Sequence, residues 1–317
     1  MSNPISKMMT TLYTTPSGVR PLWHVIVVPL AHLILFFLSY TLVTMVIYGG
    51  WKSLPDFIQN YGYLRDGIEL TAAILSSLGA IYTVFIFWKK YSWSQSPIID
   101  SAWLKELFLG VLIGAGILSL VIGIMALLGF YRIDHFIWEN DYPIAPFLIG
   151  NLLSFLAVGI SEEVLFRAGF FHLIEDYWGS WAALAISSLF FGLVHLGNPE
   201  ATLFGAVAIT IEAGILLGAA YMITRKLWLV IGIHWAWNFF QGPVFGCIIS
   251  GSSSTQTGLI QPIVTGPDLL TGGQFGPEGG LIAVVVATGT GIYFLIKAIN
   301  QGKVVAGPAK AGENGEL

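Results

Sequence analysis

Long apolar runs alternate along this chain with short polar or Gly/Pro-bearing breaks. The apolar stretches fall at Leu22–Tyr48, Ile68–Trp88, Leu107–Phe130, Pro146–Phe171, Trp181–His195, Ala201–Ile223, Leu227–Phe240 and Leu281–Ile296. About 20 mainly apolar residues in a helix cross a bilayer core, so the pattern predicts an all-α, polytopic membrane helical bundle of about eight transmembrane helices. The fifth and seventh stretches are the shortest. They are expected to tilt or to stop partway, where protein rather than lipid satisfies the backbone ends. Gly110 and Gly114, in the third stretch, have the small-xxx-small spacing that lets helices approach closely.

No internal repeat and no linker divides the chain into independent units. The expected organisation is a three-helix N-terminal region over residues 1–145 and a core over 146–241. A Gly/Ser-rich loop with the last helix then occupies 242–300, and a disordered tail 301–317. The loop proper, Gly242–Gly280, has a composition suited to burying little apolar surface, so it is expected to be irregular and dispensable for folding.

Composition sharpens the membrane reading. The 317 residues are 55% hydrophobic and only 10% charged, outside the range of a soluble domain. A formal net charge of -4 gives no reason to expect a nucleic-acid partner. Cys247 is the single cysteine, which excludes an intrachain disulfide, and its apolar neighbours mark it as a packed hydrophobe. Met1–Arg20 lacks the charged-then-apolar layout of a signal peptide, so the first stretch is read as a retained span. Trp23, Trp51, Trp88, Trp103, Trp138 and Trp228 lie near predicted helix ends, where tryptophans form interfacial belts.

Ionisable residues within spanning helices are costly, so the few present are the candidates for chemistry. They are Glu162, Glu163 and Arg167 in the fourth stretch, His195 at the end of the fifth, Glu212 in the sixth, and His234 with Asn238 in the seventh. Glu163 and Arg167 are four apart and share a helix face, while Glu162 points about 100° away. One carboxylate can pair with the guanidinium while its neighbour stays free to act as a general base. If the fourth and fifth helices form a hairpin turning near Trp178–Ser180, Glu163 and His195 lie at equal depth, roughly 24 Å from the turn. His234 then matches that level if the hairpin tip, with Glu175 and Asp176, protrudes. His234 and Asn238 project from one face and could hold an anionic oxygen or orient water. His195 precedes Gly197, Asn198 and Pro199, a helix-ending sequence. His24, His32, His135 and His172 read as packing or interfacial residues.

The run Glu162-Glu163-Val164-Leu165-Phe166-Arg167 resembles the EExxxR motif of the CAAX prenyl protease and bacteriocin-processing (CPBP) family, also called the abortive-infection domain family. Phe191-Gly192-Leu193-Val194-His195 resembles its FxxxH motif, and His234-Trp235-Ala236-Trp237-Asn238 its HxxxN motif. The resemblance covers roughly residues 146–241. It implies intramembrane endopeptidase activity on a membrane-associated protein or peptide substrate. It implies further that Glu162 activates water, that His195 helps position or deprotonate it, and that His234 and Asn238 stabilise the oxyanion. Glu163 and Arg167 would be the supporting pair. No cofactor is required on this reading. The alternative is a zinc enzyme in which Glu162, His195 and His234 are the ligands, although no HExxH is present. A proton-coupled carrier and a non-catalytic membrane scaffold are the rivals from other classes. Glu212 is claimed by no family motif and is expected to serve helix packing.

The distribution of basic residues sets the orientation. With eight crossings, Lys7, Arg20, Lys89, Lys90, Lys105, Arg225, Lys226, Lys297, Lys303 and Lys310 share one side, and only Lys52, Arg65 and Arg132 the other. The positive-inside rule then puts both termini in the cytoplasm, with the cell membrane as the expected location. A C-terminal reporter fusion should read as cytoplasmic, as should thiol labelling of single cysteines introduced beside Lys226. An extracytoplasmic C-terminus would overturn this topology.

Overall fold

The computed structural model describes residues 62–82, 92–137, 143–252 and 257–307, together with isolated positions before residue 62 and Ile86. The first apolar stretch, Leu22–Tyr48, lies mostly outside the described residues, as do Lys89, Lys90, Trp138 and the last ten residues of the tail. Seven helices of twelve residues or more follow: α1 (Gly62–Ile81), α2 (Trp103–Leu127), α3 (Ile144–Glu163), α4 (His172–Val194), α5 (Leu203–Thr224), α6 (Trp228–Phe239) and α7 (Leu281–Asn300). A π-helical segment, Val164–Phe171, joins α3 to α4 without a break. The fold is an all-α membrane bundle.

The described residues hold seven long helices rather than the eight expected for the whole chain, and the first expected crossing, Leu22–Tyr48, lies mostly outside them. By length and apolar composition, four described segments can span a membrane: α2, the continuous run Ile144–Gly197, α5 and α7. That long run is a hairpin. Gly179 adopts φ 81°, a left-handed conformation that glycine tolerates and a side chain resists. Beyond it, Phe191 packs on Phe166 at 4.9 Å and Phe190 on Phe170 at 5.3 Å between ring centroids. The turn therefore lies where the sequence placed it. Helix α6 has 12 residues, about 18 Å of rise against a hydrocarbon core of about 30 Å. It stops short and is enclosed by protein, as its burial from Leu229 to Asn238 shows.

Helix α5 is central. Of its most apolar window 61% is buried, against 33% for α2 and 28% for α7, which present Leu112, Leu120, Val285 and Ile292 outward to lipid. Helix α5 packs between α4 and α7, and α1 lies on α3. Helices α2 and α6 meet backbone to backbone. A Cβ on Gly110 would collide with the Leu229 carbonyl oxygen, one on Gly114 with that of Ile233, and one on Gly232 with that of Leu107. The paired glycines in the third stretch thus form a contact that no larger residue permits.

Two expectations for the C-terminal third are overturned. The loop after α6 is a folded element. Strand β1 (Tyr131–Phe136) pairs antiparallel with β2 (Ile260–Val264), and Phe275 is buried, its ring against Gly205 of α5. Composition missed this because the segment buries a few well-placed side chains, and its glycines answer tight turns such as Gly272 and Gly276, both at positive φ. The start of the tail is docked rather than disordered. Ser180 N donates to the Val305 carbonyl at 2.9 Å, Val305 N to Ser180 Oγ at 2.8 Å, and Arg225 Nη2 to the Lys303 carbonyl at 2.6 Å. At the hairpin tip Glu175 is buried and bound by Arg225 and Ser180, while Asp176 and Trp178 are exposed.

Cys247 is buried, and burial pushes its thiol up to about 12. It carries almost no thiolate at neutral pH, which matches its reading as a packed hydrophobe.

Replacing Gly114 with Val should force α2 away from α6 and lower stability by about 1–3 kcal/mol or more. Thermal unfolding of the purified protein should show a fall in Tm. An unchanged Tm would mean the two backbones do not touch.

Candidate active site

The expected residues converge at the end of the bundle where α4 stops and α6 turns into the loop. Glu163 is fully buried at the end of α3 and Arg167 lies one turn on, with Nε 3.2 Å from Oε2 and Nη1 3.4 Å from Oε1. These contacts make an ion pair without a linear Nε hydrogen bond. The chain is π-helical from Val164, a geometry in which positions four apart still face the same way. Such π segments recur at functional sites. Arg167 also donates from Nη2 to the Ala213 carbonyl at 3.4 Å and lies 4.7 Å over the Phe191 ring. It binds the hairpin to α5.

Glu163 has a second partner. Its Oε1 is 2.8 Å from His234 Nδ1, across from α6. A carboxylate only accepts, so Nδ1 carries the hydrogen and Nε2 is left facing outward. Glu162 Oε2 stands 3.8 Å from that Nε2, too far for a direct hydrogen bond. The Glu162 side chain is 30% exposed whereas that of Glu163 is wholly buried. The two adjacent acids are thus divided between a buried structural contact and an accessible position, as their angular separation predicted.

His195 caps the end of α4. Its Nδ1 is 2.6 Å from the Phe191 carbonyl, which again fixes the hydrogen on Nδ1 and leaves Nε2 unprotonated in the neutral ring. Phe191 stands between the two imidazoles, at 5.1 Å from the His195 ring and 6.0 Å from that of His234. His195, His234 and Asn238 line one cavity. Glu163 and Arg167 sit behind His234, and Glu162 reaches the site only at Nε2.

Sequence reasoning missed one wall of this cavity. Glu278, from the loop before α7, is buried there, its Oε1 accepting from Ser250 N and from Ser250 Oγ at 2.7 Å, its Oε2 from Trp237 Nε1 at 3.1 Å. Burial pushes its carboxyl above the ordinary range, and the Ser250 donors and His195 oppose that shift. Asn198 Nδ2 donates to the Ser250 carbonyl at 2.6 Å, so the turn after His195 and the Glu278 loop share one anchor. Nothing in the spacing of Glu278 reveals this. Glu212, known from the sequence as an unassigned intramembrane acid, is also in the cavity wall, buried, its Oε2 without a hydrogen-bond partner.

Among the described residues, no three His, Cys, Asp or Glu side chains are gathered as a metal-binding group.

No curated protein and no solved structure matches the chain. A family model does match, described as type II CAAX prenyl endopeptidase Rce1-like, over residues 144–240. That interval contains the π-helical segment, the hairpin at Gly179 and all six candidate site residues. Over that interval the chain is similar to the type II CAAX prenyl endopeptidase Rce1-like family.

Proposed function

We propose that this protein is an intramembrane endopeptidase that hydrolyses a peptide bond of a membrane-associated protein or peptide with a water activated by Glu162. The observation that carries the reading is the shared orientation of two histidines. Each commits Nδ1 to a fixed acceptor and keeps Nε2 free of it; both rings line the cavity that Asn238 also borders, and Glu162 stands beside Nε2 of His234.

In the reaction, Glu162 takes a proton from water as the hydroxyl oxygen attacks the scissile carbonyl carbon. His195 Nε2 accepts a hydrogen bond from that water and aims its lone pair. The carbonyl becomes an oxyanion, for which Asn238 supplies amide hydrogens. A second proton on His234 lets its ring donate to Glu163 from Nδ1 and to the oxyanion from Nε2. As the C–N bond breaks, Glu162 returns its proton to the leaving amine. Arg167 and Glu163 hold the His234 ring and touch no reacting atom. The enclosing apolar helices keep bulk water out, which strengthens each of these interactions. The cytoplasmic placement of both termini and residence in the cell membrane accompany this proposal.

Comparison of protein N- and C-terminal peptides in membranes bearing wild type or Glu162→Gln should reveal cleavage products with wild type alone, the variant remaining folded. Asn238→Ala should slow turnover on the order of a hundredfold. Glu163→Gln and Arg167→Ala should lower stability on the order of 3–5 kcal/mol as well as activity, since each strands a buried charge. Activity lost on removal of stoichiometric zinc and regained on its return would replace this mechanism by the zinc one.

A further inference from the structure

The cavity wall carries two carboxyl groups that the proposed hydrolysis does not use. Glu212 projects from α5 and Glu278 from the loop before α7, and both line the same cavity. Glu278 is supplied with donors by Ser250 and Trp237, which stabilise its anionic form. Glu212 is 1% exposed, and its Oε2 has no hydrogen-bond partner. Among the described residues neither acid is paired with Lys or Arg. Arg167, the guanidinium nearest the site, is committed to Glu163. A buried carboxylate with no Lys or Arg beside it is costly to ionise, and an arriving cation would relieve that cost.

The rest of the wall says what form the cation takes. Ile209, Leu216, Leu217 and Ile233 make it apolar. An apolar wall with acceptor-only groups suits a methylene stem ending in an ammonium. His195 and His234 border the same cavity, so a side chain seated there belongs to a residue next to the bond to be cut.

We infer that Glu212 and Glu278 form a subsite for the ammonium end of a basic side chain, and that the substrate segment carries a lysine-type residue beside the scissile bond. This rests on the endopeptidase reading for the word substrate, whereas the cation site itself can be tested without turnover.

The probe is butylammonium chloride, added to the purified full-length protein at constant ionic strength against sodium chloride, with thermal unfolding as the readout. It should raise the Tm of wild type and of Glu162→Gln, and its apparent affinity should fall at least about tenfold in Glu212→Gln. Butanol, of similar size but uncharged, should give no such shift in wild type, a comparison that holds even if Glu212→Gln fails to fold. A second arm follows cleavage of membrane-inserted peptides carrying lysine or norleucine at successive positions. Lysine at one position should favour cleavage about tenfold or more over norleucine, and Glu212→Gln should remove the preference. Equal stabilisation by butanol and butylammonium, or an unchanged affinity in Glu212→Gln, overturns the subsite whether or not peptides are cut. An amine effect without cleavage of any peptide overturns the endopeptidase reading and leaves the cation site standing.

Discussion

A single carboxylate organises this site. Glu163 is wholly buried and accepts from Arg167 on one side and His234 on the other. Burying three ionisable groups is tolerable only when each is satisfied by another, because an unpaired charge in so apolar an interior costs several kcal/mol. The chain of contacts therefore works as a constraint. Arg167 extends it to the Ala213 carbonyl of α5 and the face of Phe191 on α4. Four helices are held in one arrangement by two charged side chains, and the imidazole of His234 has one orientation open to it.

That constraint works only because α6 can be brought deep into the bundle. A helix of 12 residues cannot satisfy lipid at both ends, so it has to be enclosed by protein. The glycines of α2 and α6 allow this, their backbones meeting at Gly110, Gly114 and Gly232. The C-terminal end of α6 then runs into a second π-helical turn, Phe240–Val244, where Gln241 Nε2 donates to the Ile248 carbonyl at 2.7 Å. The backbone leaves the helix inside protein, where partners are present, and the loop that follows can close the cavity.

Much of this is legible in the sequence, for identifiable reasons. The helical runs, the turn at Gly179 and the Glu163–Arg167 pair depend on spacing along one segment, which the sequence displays directly. The division between Glu162 and Glu163 follows from helix geometry in the same way. What could not be read depends on distant partners. Glu278 takes its place from Ser250, 28 residues away, and Trp237, 41 away. The docking of Val305 on Ser180 spans 125 residues. A Gly/Ser-rich composition measures average burial and is blind to one aromatic ring such as Phe275 wedged under a helix. Glu175 at the hairpin tip escaped for the same reason: it looks like a solvated charge until Arg225, 50 residues on, is placed against it.

The two histidines show how much chemistry such placement decides. Both hold the Nδ1 hydrogen, yet one faces a neutral carbonyl and the other a carboxylate. A carbonyl dipole orients an imidazole and leaves Nε2 an acceptor, suited to steering a water. A carboxylate orients the ring and also answers a positive charge on it, so His234 can carry two protons and donate at both ends. The asymmetry follows from position: His195 ends its helix, where the Phe191 carbonyl four residues back is within reach, and His234 is mid-helix, where only a neighbouring helix can offer an acceptor. The same pair of residue types thus acquires two different tasks because one lies at a terminus and the other against Glu163.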